Sequence, residues 1–147
     1  MTEVERKRAQ RFMARAERSL DAAEYELKGD FVPDAISSSY YATLHAAKAL
    51  LMTRGLEANR HSAVLRLLGR EFVQSGQLSK DHSKIIGLLL ESRITADYDA
   101  SPPFTAEQAQ EHLDQARGFV ADASALLQQL LDEEQGSQPT RPGSPGA

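Results

Sequence analysis

The sequence predicts an all-α protein, a bundle of four long helices and one shorter helix. Apolar residues recur at steps of three and four in five successive segments, which is the spacing of one helix face. Glycine, proline or a capping residue separates each segment from the next. Strict alternation of apolar and polar residues, which is typical of a strand, is not found in the sequence.

The first two helices are predicted over residues 3–28 and 33–54. Gly29 and Asp30 end the first helix, and Pro33 suits the first turn of the second because its missing N–H would be unpaired there. Gly55 is expected to cap the second helix. The inward-facing residues of the first helix are expected to be Val4, Phe12, Met13, Ala16, Leu20, Ala23 and Leu27. Those of the second are expected to be Ile36, Tyr40, Leu44, Ala47 and Leu51.

Three further helices follow. A shorter third helix is predicted to end at Gly76, and Ser79 is predicted to cap the fourth. The Ser-Pro-Pro run at 101–103 ends the fourth helix because proline disfavours helix in the residue before it. Thr105 and Gln108 form a capping box for the fifth. The inward-facing residues of the fourth helix are expected to be Ile85, Leu88, Leu89 and Ile94.

One folded domain is predicted over residues 1–134, with a disordered tail over 135–147. The tail consists mainly of glycine, proline, serine and polar residues, which bury too little apolar surface to order a chain. The whole sequence is 41% hydrophobic and 26% charged, a composition typical of a soluble globular protein. It contains no cysteine, which excludes disulfides and thiolate metal sites.

The first ten residues are charged throughout and lack the apolar core of a signal peptide. No run approaches the roughly 18 apolar residues of a membrane span. We therefore expect a cytoplasmic protein without a membrane partner. The net charge of −4 argues against a protein that coats nucleic acid. Because glycine-rich phosphate loops and metal-ligand spacings are missing, neither a cofactor nor a metal is expected.

Tyr41, His45 and Lys48 form the first candidate site. They are spaced i, i+4 and i+7, so they share one face of the second helix. A phenol, an imidazole and an ammonium together could bind a phosphate or a nucleotide. The alternative is that Tyr41 and His45 are half-buried and hydrogen-bonded inside the bundle while Lys48 faces water. From the pattern alone, this structural interpretation is favoured.

Arg93, Asp97 and Tyr98 form the second candidate site. Arg93 and Asp97 are spaced i, i+4, and a simple ion pair within the helix is the favoured interpretation. In a functional interpretation, Arg93 holds a phosphate and Tyr98 hydrogen-bonds nearby. A third candidate is a stripe of arginines on the first helix, which could meet RNA phosphates or an acidic partner. A solvated face interleaved with Glu5 and Glu17 is favoured there. The stripe consists of Arg8, Arg11, Arg15 and Arg18.

Two signatures resemble the HEPN domain (higher eukaryotes and prokaryotes nucleotide-binding). The first is Tyr-Tyr-Ala-x-x-His-Ala-x-Lys-Ala-Leu-Leu at 40–51, and the second is Arg-x-x-Ala-Asp-Tyr at 93–98. Between them, Arg-His-Ser at 60–62 precedes an apolar helix that ends in Gly-Arg-Glu-Phe-Val at 69–73. Together they are similar to a small prokaryotic branch of the family. The resemblance covers about residues 3–131, nearly the whole predicted domain.

The resemblance implies an up-and-down helical bundle that forms homodimers. Many HEPN proteins are the toxin half of a toxin–antitoxin pair whose other half is a minimal nucleotidyltransferase. Catalytic members are metal-independent ribonucleases that carry an arginine and, after four to six intervening residues, a histidine. The arginine stabilises charge on the scissile phosphate, and the histidine handles the proton of the attacking 2′-hydroxyl. Dimerisation brings two copies into one cleft.

This sequence departs from the catalytic pattern. Four residues follow Arg93 before Tyr98, where a histidine would be expected. A tyrosine hydroxyl is a poor general base at neutral pH because it retains its proton. Arg54 and His61 have the right spacing, but they straddle a helix end and a loop. With this many arginines, one such match is expected by chance.

Three functions follow from these observations. The favoured one is a HEPN binding module, a component of a toxin–antitoxin-like pair with a minimal nucleotidyltransferase, with nucleotide or RNA bound in a dimer cleft. The first alternative is a metal-independent toxin-type endoribonuclease, in which Arg93 binds the phosphate and His45 or His61 is the acid–base group. The second alternative is a purely structural helical adaptor.

Overall fold

The structure, a computed structural model, describes residues 1–101 and 103–137, and the side chains of 136 and 137 lie outside the description. Five α-helices make up this part of the chain. They are α1 (Glu3–Lys28), α2 (Val32–Met52), α3 (His61–Leu68), α4 (Lys80–Tyr98) and α5 (Ala106–Ser137). The predicted all-α bundle of four long helices and one shorter one is confirmed.

Helix α2 occupies the centre of the bundle. It contacts α1, α3, α4 and α5, and thirteen of its 21 residues are buried. Alanines at positions 42, 46, 47 and 49 are all fully buried, which lets the neighbouring helices approach closely. Ala9, Ala16 and Ala23 repeat every seven residues on α1 and are fully buried as well. Small side chains thus bring α1 and α2 together along their length.

The predicted helix ends agree with the structure at most positions. Gly29 caps α1, and Asp30 adopts a positive φ of 64° at the turn into α2. Gly76 has a φ of 81° in the turn before α4, a conformation that glycine adopts without steric cost. The capping box at the start of α5 is present, with Thr105 N–H donating to Gln108 at 2.9 Å.

Several details differ from the prediction. Helix α3 ends at Leu68 and continues as one π-helical turn, Gly69–Val73, before the chain reaches Gly76. Helix α5 continues to Ser137, three residues into the segment predicted as a tail. Residues 138–147 of that tail, and Pro102 of the proline break, lie outside the described residues.

Three residues predicted to face inward are exposed, so that part of the prediction is wrong. Val4 on α1 is 66% exposed, and Leu88 and Ile94 on α4 are 47% and 45% exposed. Helix α4 packs inward along another row of its surface, which leaves Leu88 and Ile94 uncovered. The residues of that buried row are Ile86, Leu89, Ser92 and Ala96.

Within residues 1–101 and 103–137, no helix has both the length and the apolar composition to cross a membrane.

Candidate functional site

Tyr41, His45 and Lys48 lie on the one strip of α2 that the other helices leave partly uncovered. Between positions 34 and 51, all the remaining residues of α2 are buried apart from Asp34, Ser37 and Ser38. These three lie on the same strip. A central helix must be apolar nearly all round, so the charged and imidazole side chains of α2 are confined to this strip. The predicted common face is therefore the accessible side of the core helix.

Arg93 reaches this strip from α4. Its Nη2 donates a hydrogen bond to the Tyr41 hydroxyl at 2.9 Å, and its guanidinium carbon lies 5.4 Å from the centre of the Tyr41 ring. Its Nε lies 2.8 Å from Asp97 Oδ2, but the N–H bond of Nε is not directed at this oxygen. The contact is therefore an ion pair and not a hydrogen bond. The ion pair within the helix is thus present, and the same arginine also contacts Tyr41. Two partners hold an arginine side chain that is only 18% exposed.

Asp97 is in turn held by Ser37 of α2, whose hydroxyl donates to Asp97 Oδ1 at 2.5 Å. One carboxylate therefore pairs with Arg93 on α4 and accepts a hydrogen bond from α2. The serine and the carboxylate fix the position of the arginine relative to the α2 strip.

His61, the first residue of α3, completes the group. Its ring lies 5.4 Å from that of Tyr40 and 6.1 Å from that of Tyr41, centre to centre. Burial lowers the pKa of His61, and the nearby charges of Arg93 and Lys48 lower it further. His61 is thus a neutral imidazole close enough to Arg93 for the positive charge of the guanidinium to act on it. The residues Tyr41, His45, His61, Arg93 and Asp97 are called the Arg93 cluster below.

His45 lies one helical turn beyond Tyr41 on α2, with ring centres 6.2 Å apart. Burial lowers its pKa to about 4, assisted by the charges of Arg15 and Lys48. Its Nδ1 is buried and makes no hydrogen bond within the described part of the chain. The structure therefore places a neutral, incompletely paired imidazole between two cationic side chains.

Tyr40 is predicted from the sequence to face the core, and its ring is fully buried there. Its hydroxyl, however, is buried without a hydrogen-bond partner among the described residues, and burial raises its pKa. Tyr40 stacks on both Tyr41 and His61, so this unpaired hydroxyl belongs to the wall of the Arg93 cluster. Sequence periodicity could not identify it, because Tyr40 falls on the apolar stripe.

The two remaining histidines have structural roles. His82 accepts a hydrogen bond at Nδ1 from the Ser79 N–H at the start of α4, and its Nε2 lies 2.9 Å from Asp122 of α5. His112 of α5 hydrogen-bonds Ser92 of α4 at 2.8 Å. Both imidazoles join α4 to α5. No group of three histidine, aspartate or glutamate side chains with metal-binding geometry occurs among the residues described.

The family model of the HEPN domain matches residues 9–126. The chain belongs to the HEPN family. A UPF0332 protein of Thermotoga maritima is 34% identical over 116 residues, which cover 79% of this chain and 88% of that protein. A protein of Methanocaldococcus jannaschii that is named as a candidate toxin is also 34% identical, over 79% of this chain and 86% of its own length. The resemblance seen in the two signatures is confirmed.

Two solved structures are similar to this HEPN chain. The crystal structure of TT1696 from Thermus thermophilus superposes with a TM-score of 0.70 at 24% identity, over 81% of this chain and 98% of the other. An archaeal HEPN homologue, ST0689, has a TM-score of 0.67 at 23% identity, over 82% of this chain and 98% of the other. At such identities the likeness shows the fold alone.

Two residues of the HEPN pattern lie apart from the Arg93 cluster. Tyr98 is 78% exposed and forms no hydrogen bond or ring contact with the described residues. Arg54 lies over the ring of Phe72 at 5.3 Å and donates to Gln77 at 3.3 Å. Arg54 and His61 thus have different neighbours, and their spacing in the sequence does not correspond to a shared site. The histidine that lies near Arg93 comes instead from another helix.

Replacing His45 tests whether a neutral imidazole is held in this HEPN site. Because the folded pKa of about 4 lies below the ordinary 6.5, the unfolded chain takes up its proton first as the pH falls. His45 therefore contributes stability that is present above pH 6.5 and lost as the pH falls towards 4. We expect His45→Gln to reduce this acid-induced loss by on the order of 1 kcal/mol, since solvent screens a half-exposed group.

Urea unfolding of both proteins, followed from neutral pH down to about pH 4, measures the difference. Because the pKa of His61 is also lowered, the stability of the variant should still depend partly on pH. Identical pH profiles for the wild type and His45→Gln would contradict the account of His45.

Proposed function

We propose that this HEPN protein is a binding module that takes an RNA or nucleotide phosphate at the Arg93 cluster. The observation that carries the proposal is a fixed guanidinium that contacts Tyr41, with the rings of two neutral histidines about 6 Å from the ring of that tyrosine. A guanidinium presents a planar fork of donors that matches the oxygens of a phosphate. Neutral imidazoles beside it add no further positive charge, and each can donate or accept one hydrogen bond.

The unpaired polar atoms of the cluster favour a binding role over a purely structural adaptor. In a structural bundle, buried polar atoms are expected to be hydrogen-bonded within the protein. Ser39 and Thr43 follow this rule, since each hydroxyl donates to a backbone carbonyl of α2. The Tyr40 hydroxyl and His45 Nδ1 do not follow it among the described residues. Both lie at the Arg93 cluster, where a ligand could satisfy them.

Metal-independent ribonuclease activity is the second candidate. The observation that favours it is the proximity of His61 to Arg93, whose charge acts on the imidazole. A neutral His61 could take the proton of a 2′-hydroxyl as that oxygen attacks the adjacent phosphate. The bond from phosphorus to the 5′-oxygen of the next nucleotide would break, and the leaving oxygen would take up a proton from water. Arg93 would then stabilise the negative charge that develops on the phosphate oxygens. Histidine from α3 would replace the histidine that the catalytic pattern places after the arginine.

Replacing Arg93 tests the site. We expect wild-type protein to bind a short single-stranded RNA in buffer that contains EDTA. Arg93→Gln should weaken this binding by about ten- to a hundredfold, the cost of losing charge-assisted hydrogen bonds. Fluorescence anisotropy of the labelled RNA measures the affinity, and gel analysis of the same samples measures cleavage.

Arg117→Gln is the matched control, because Arg117 is also ion-paired, with Glu24 and Asp114, on another face. Its affinity should equal that of the wild type, and thermal unfolding checks that both variants fold. Cleavage by wild type that disappears in Arg93→Gln supports the ribonuclease over the binding module. Equal RNA affinity of wild type and Arg93→Gln would contradict a phosphate site at Arg93.

We further propose that the chain forms a homodimer and pairs with a minimal nucleotidyltransferase in a toxin–antitoxin-like system. Membership of the HEPN family supports this, as do relatives that are named as candidate toxins. For the homodimer, the support is a pair of large exposed side chains one turn apart on α4. Ile94 and Tyr98 are 45% and 78% exposed and lie on the helix that carries Arg93. Burying them against a second copy would place two Arg93 clusters near one interface.

Co-purification tests both partners. Two differently tagged copies expressed in the native host should recover each other, together with a nucleotidyltransferase identified by mass spectrometry. Ile94→Asp should lose the second copy, because a charge in an apolar interface is costly. Val4→Asp, which changes a more exposed apolar residue on α1, should retain it. Recovery of neither partner by the wild type would contradict the proposal.

A further inference from the structure

Helix α1 carries a row of cations on its solvent side. With 3.6 residues per turn, Lys7, Arg8, Arg11, Arg15 and Arg18 fall within an arc of about 100°. At a rise of 1.5 Å per residue, the row extends over roughly 16 Å. The cations therefore form a line along the helix and not a scattered charge on its surface.

Four of these cations, Lys7 among them, have no partner within the part of the chain that the structure describes. Arg8 pairs with Glu57 of the loop after α2. Arg11, Arg15 and Arg18 are exposed and form neither an ion pair nor a hydrogen bond with any described residue. They are called the arginine track below.

The two acidic residues that the sequence interleaves with the row do not neutralise the track. Glu5 closes the capping box of α1, where its carboxylate accepts the Thr2 N–H at 2.7 Å. Glu17 lies about 120° around the helix from Arg11. Between positions 7 and 18, the arc of about 100° that holds the row of cations therefore contains no carboxylate.

Two open surface depressions, together called the groove below, lie beside the arginine track. One part, of about 360 Å³, is lined by residues that include Arg15, Arg18 and His45. A neighbouring part, of about 230 Å³, is lined by Arg8, Arg11, Phe12 and Arg15. Arg15 lines both parts, so the two depressions adjoin at this side chain. At His45 the groove reaches the Arg93 cluster.

We propose that the arginine track binds the backbone phosphates of single-stranded RNA and leads the strand to the Arg93 cluster. This inference rests on RNA being the ligand of the proposed function. Arginine forks bind phosphate oxygens without reading the base, so a line of them follows a strand of any sequence. At the end of the track, the rings of Tyr41, His45 and His61 offer surfaces on which bases stack.

The combination favours RNA over an acidic protein. A groove that carries cations along one side and aromatic rings at one end matches the alternation of phosphate and base in a single strand. The aromatic rings would contribute nothing specific to the binding of an acidic protein. Binding of an acidic protein is therefore the alternative outcome, which the experiment must distinguish from RNA binding.

The salt dependence of RNA binding tests the track. Each phosphate contact of a single strand contributes about 0.7 to the slope of log K against log salt concentration. The triple variant Arg11→Gln, Arg15→Gln, Arg18→Gln should therefore have a slope shallower by about 2, together with a weaker affinity at low salt. Fluorescence anisotropy of a labelled single-stranded RNA, measured over a range of salt concentrations, gives both quantities.

The matched control removes the same charge elsewhere. Arg66→Gln, Lys80→Gln, Lys84→Gln changes three exposed cations of α3 and α4 that do not line the groove, and its slope should equal that of the wild type. An unchanged slope in the track variant, or an equal loss in the control variant, would overturn the proposal. So would a track variant that keeps its RNA affinity but no longer recovers a partner protein.

Arg93→Gln, measured in the same series, separates this proposal from the proposed function. If Arg93→Gln weakens binding and the track variant does not, the track is refuted and the Arg93 site stands. If the track variant alone weakens binding, the track stands and the Arg93 site is refuted. Absence of RNA binding by folded wild-type protein would refute both.

Discussion

The burial of α2 is the constraint on which the rest of the structure depends. This helix contacts the four others, and its alanines let α1 approach along its whole length. A helix enclosed in this way can present polar groups along one strip only. Tyr41, His45 and Lys48 lie on that strip, so the position of the candidate site follows from the packing of the bundle.

The same enclosure determines the electrostatics of the site. Side chains at the edge of a core lose part of their hydration, which disfavours the charged form of an imidazole. The pKa of His45 falls to about 4 and that of His61 falls as well, while Arg93 keeps its charge because a guanidinium does not lose its proton in proteins. The cluster therefore holds one fixed cation and two neutral rings, and Lys48 and Arg15 add positive charge around it. A phosphate would compensate these cations and favour protonation of the rings.

Sequence periodicity predicted the helices well because each helix buries one stripe against the core. It failed for Leu88 and Ile94, since α4 packs along the row of Ile86 and Leu89 and both rows have helical spacing. Tyr41, His45 and Lys48 could be grouped from the sequence because i, i+4 and i+7 neighbours share a helix face. The favoured interpretation of Arg93 and Asp97 as an ion pair agrees with the structure, but it did not include the contact of Arg93 with Tyr41.

His61 could be named as a candidate from the sequence, but its position relative to Tyr41 and Arg93 could not be predicted. It is twenty positions from Tyr41 and thirty-two from Arg93, so only the packing of α3 against α2 brings it to both. Tyr40 and Tyr41 are adjacent tyrosines in one signature, yet one ring is buried and the other faces the strip. Spacing within a helix specifies a face. It does not specify which residue of a distant helix will meet that face, because that depends on tertiary packing.

The measurement that tests the central claim most directly is a pH titration of the histidine ring signals by NMR, with and without a nucleoside monophosphate. If a phosphate binds within the Arg93 cluster, the pKa values of His45 and His61 should each rise by about one pH unit, because the bound dianion favours the protonated ring. The chemical shifts of His82 and His112, which lie where α4 meets α5, serve as internal controls. Unchanged titration curves of His45 and His61 at saturating nucleotide would contradict the account.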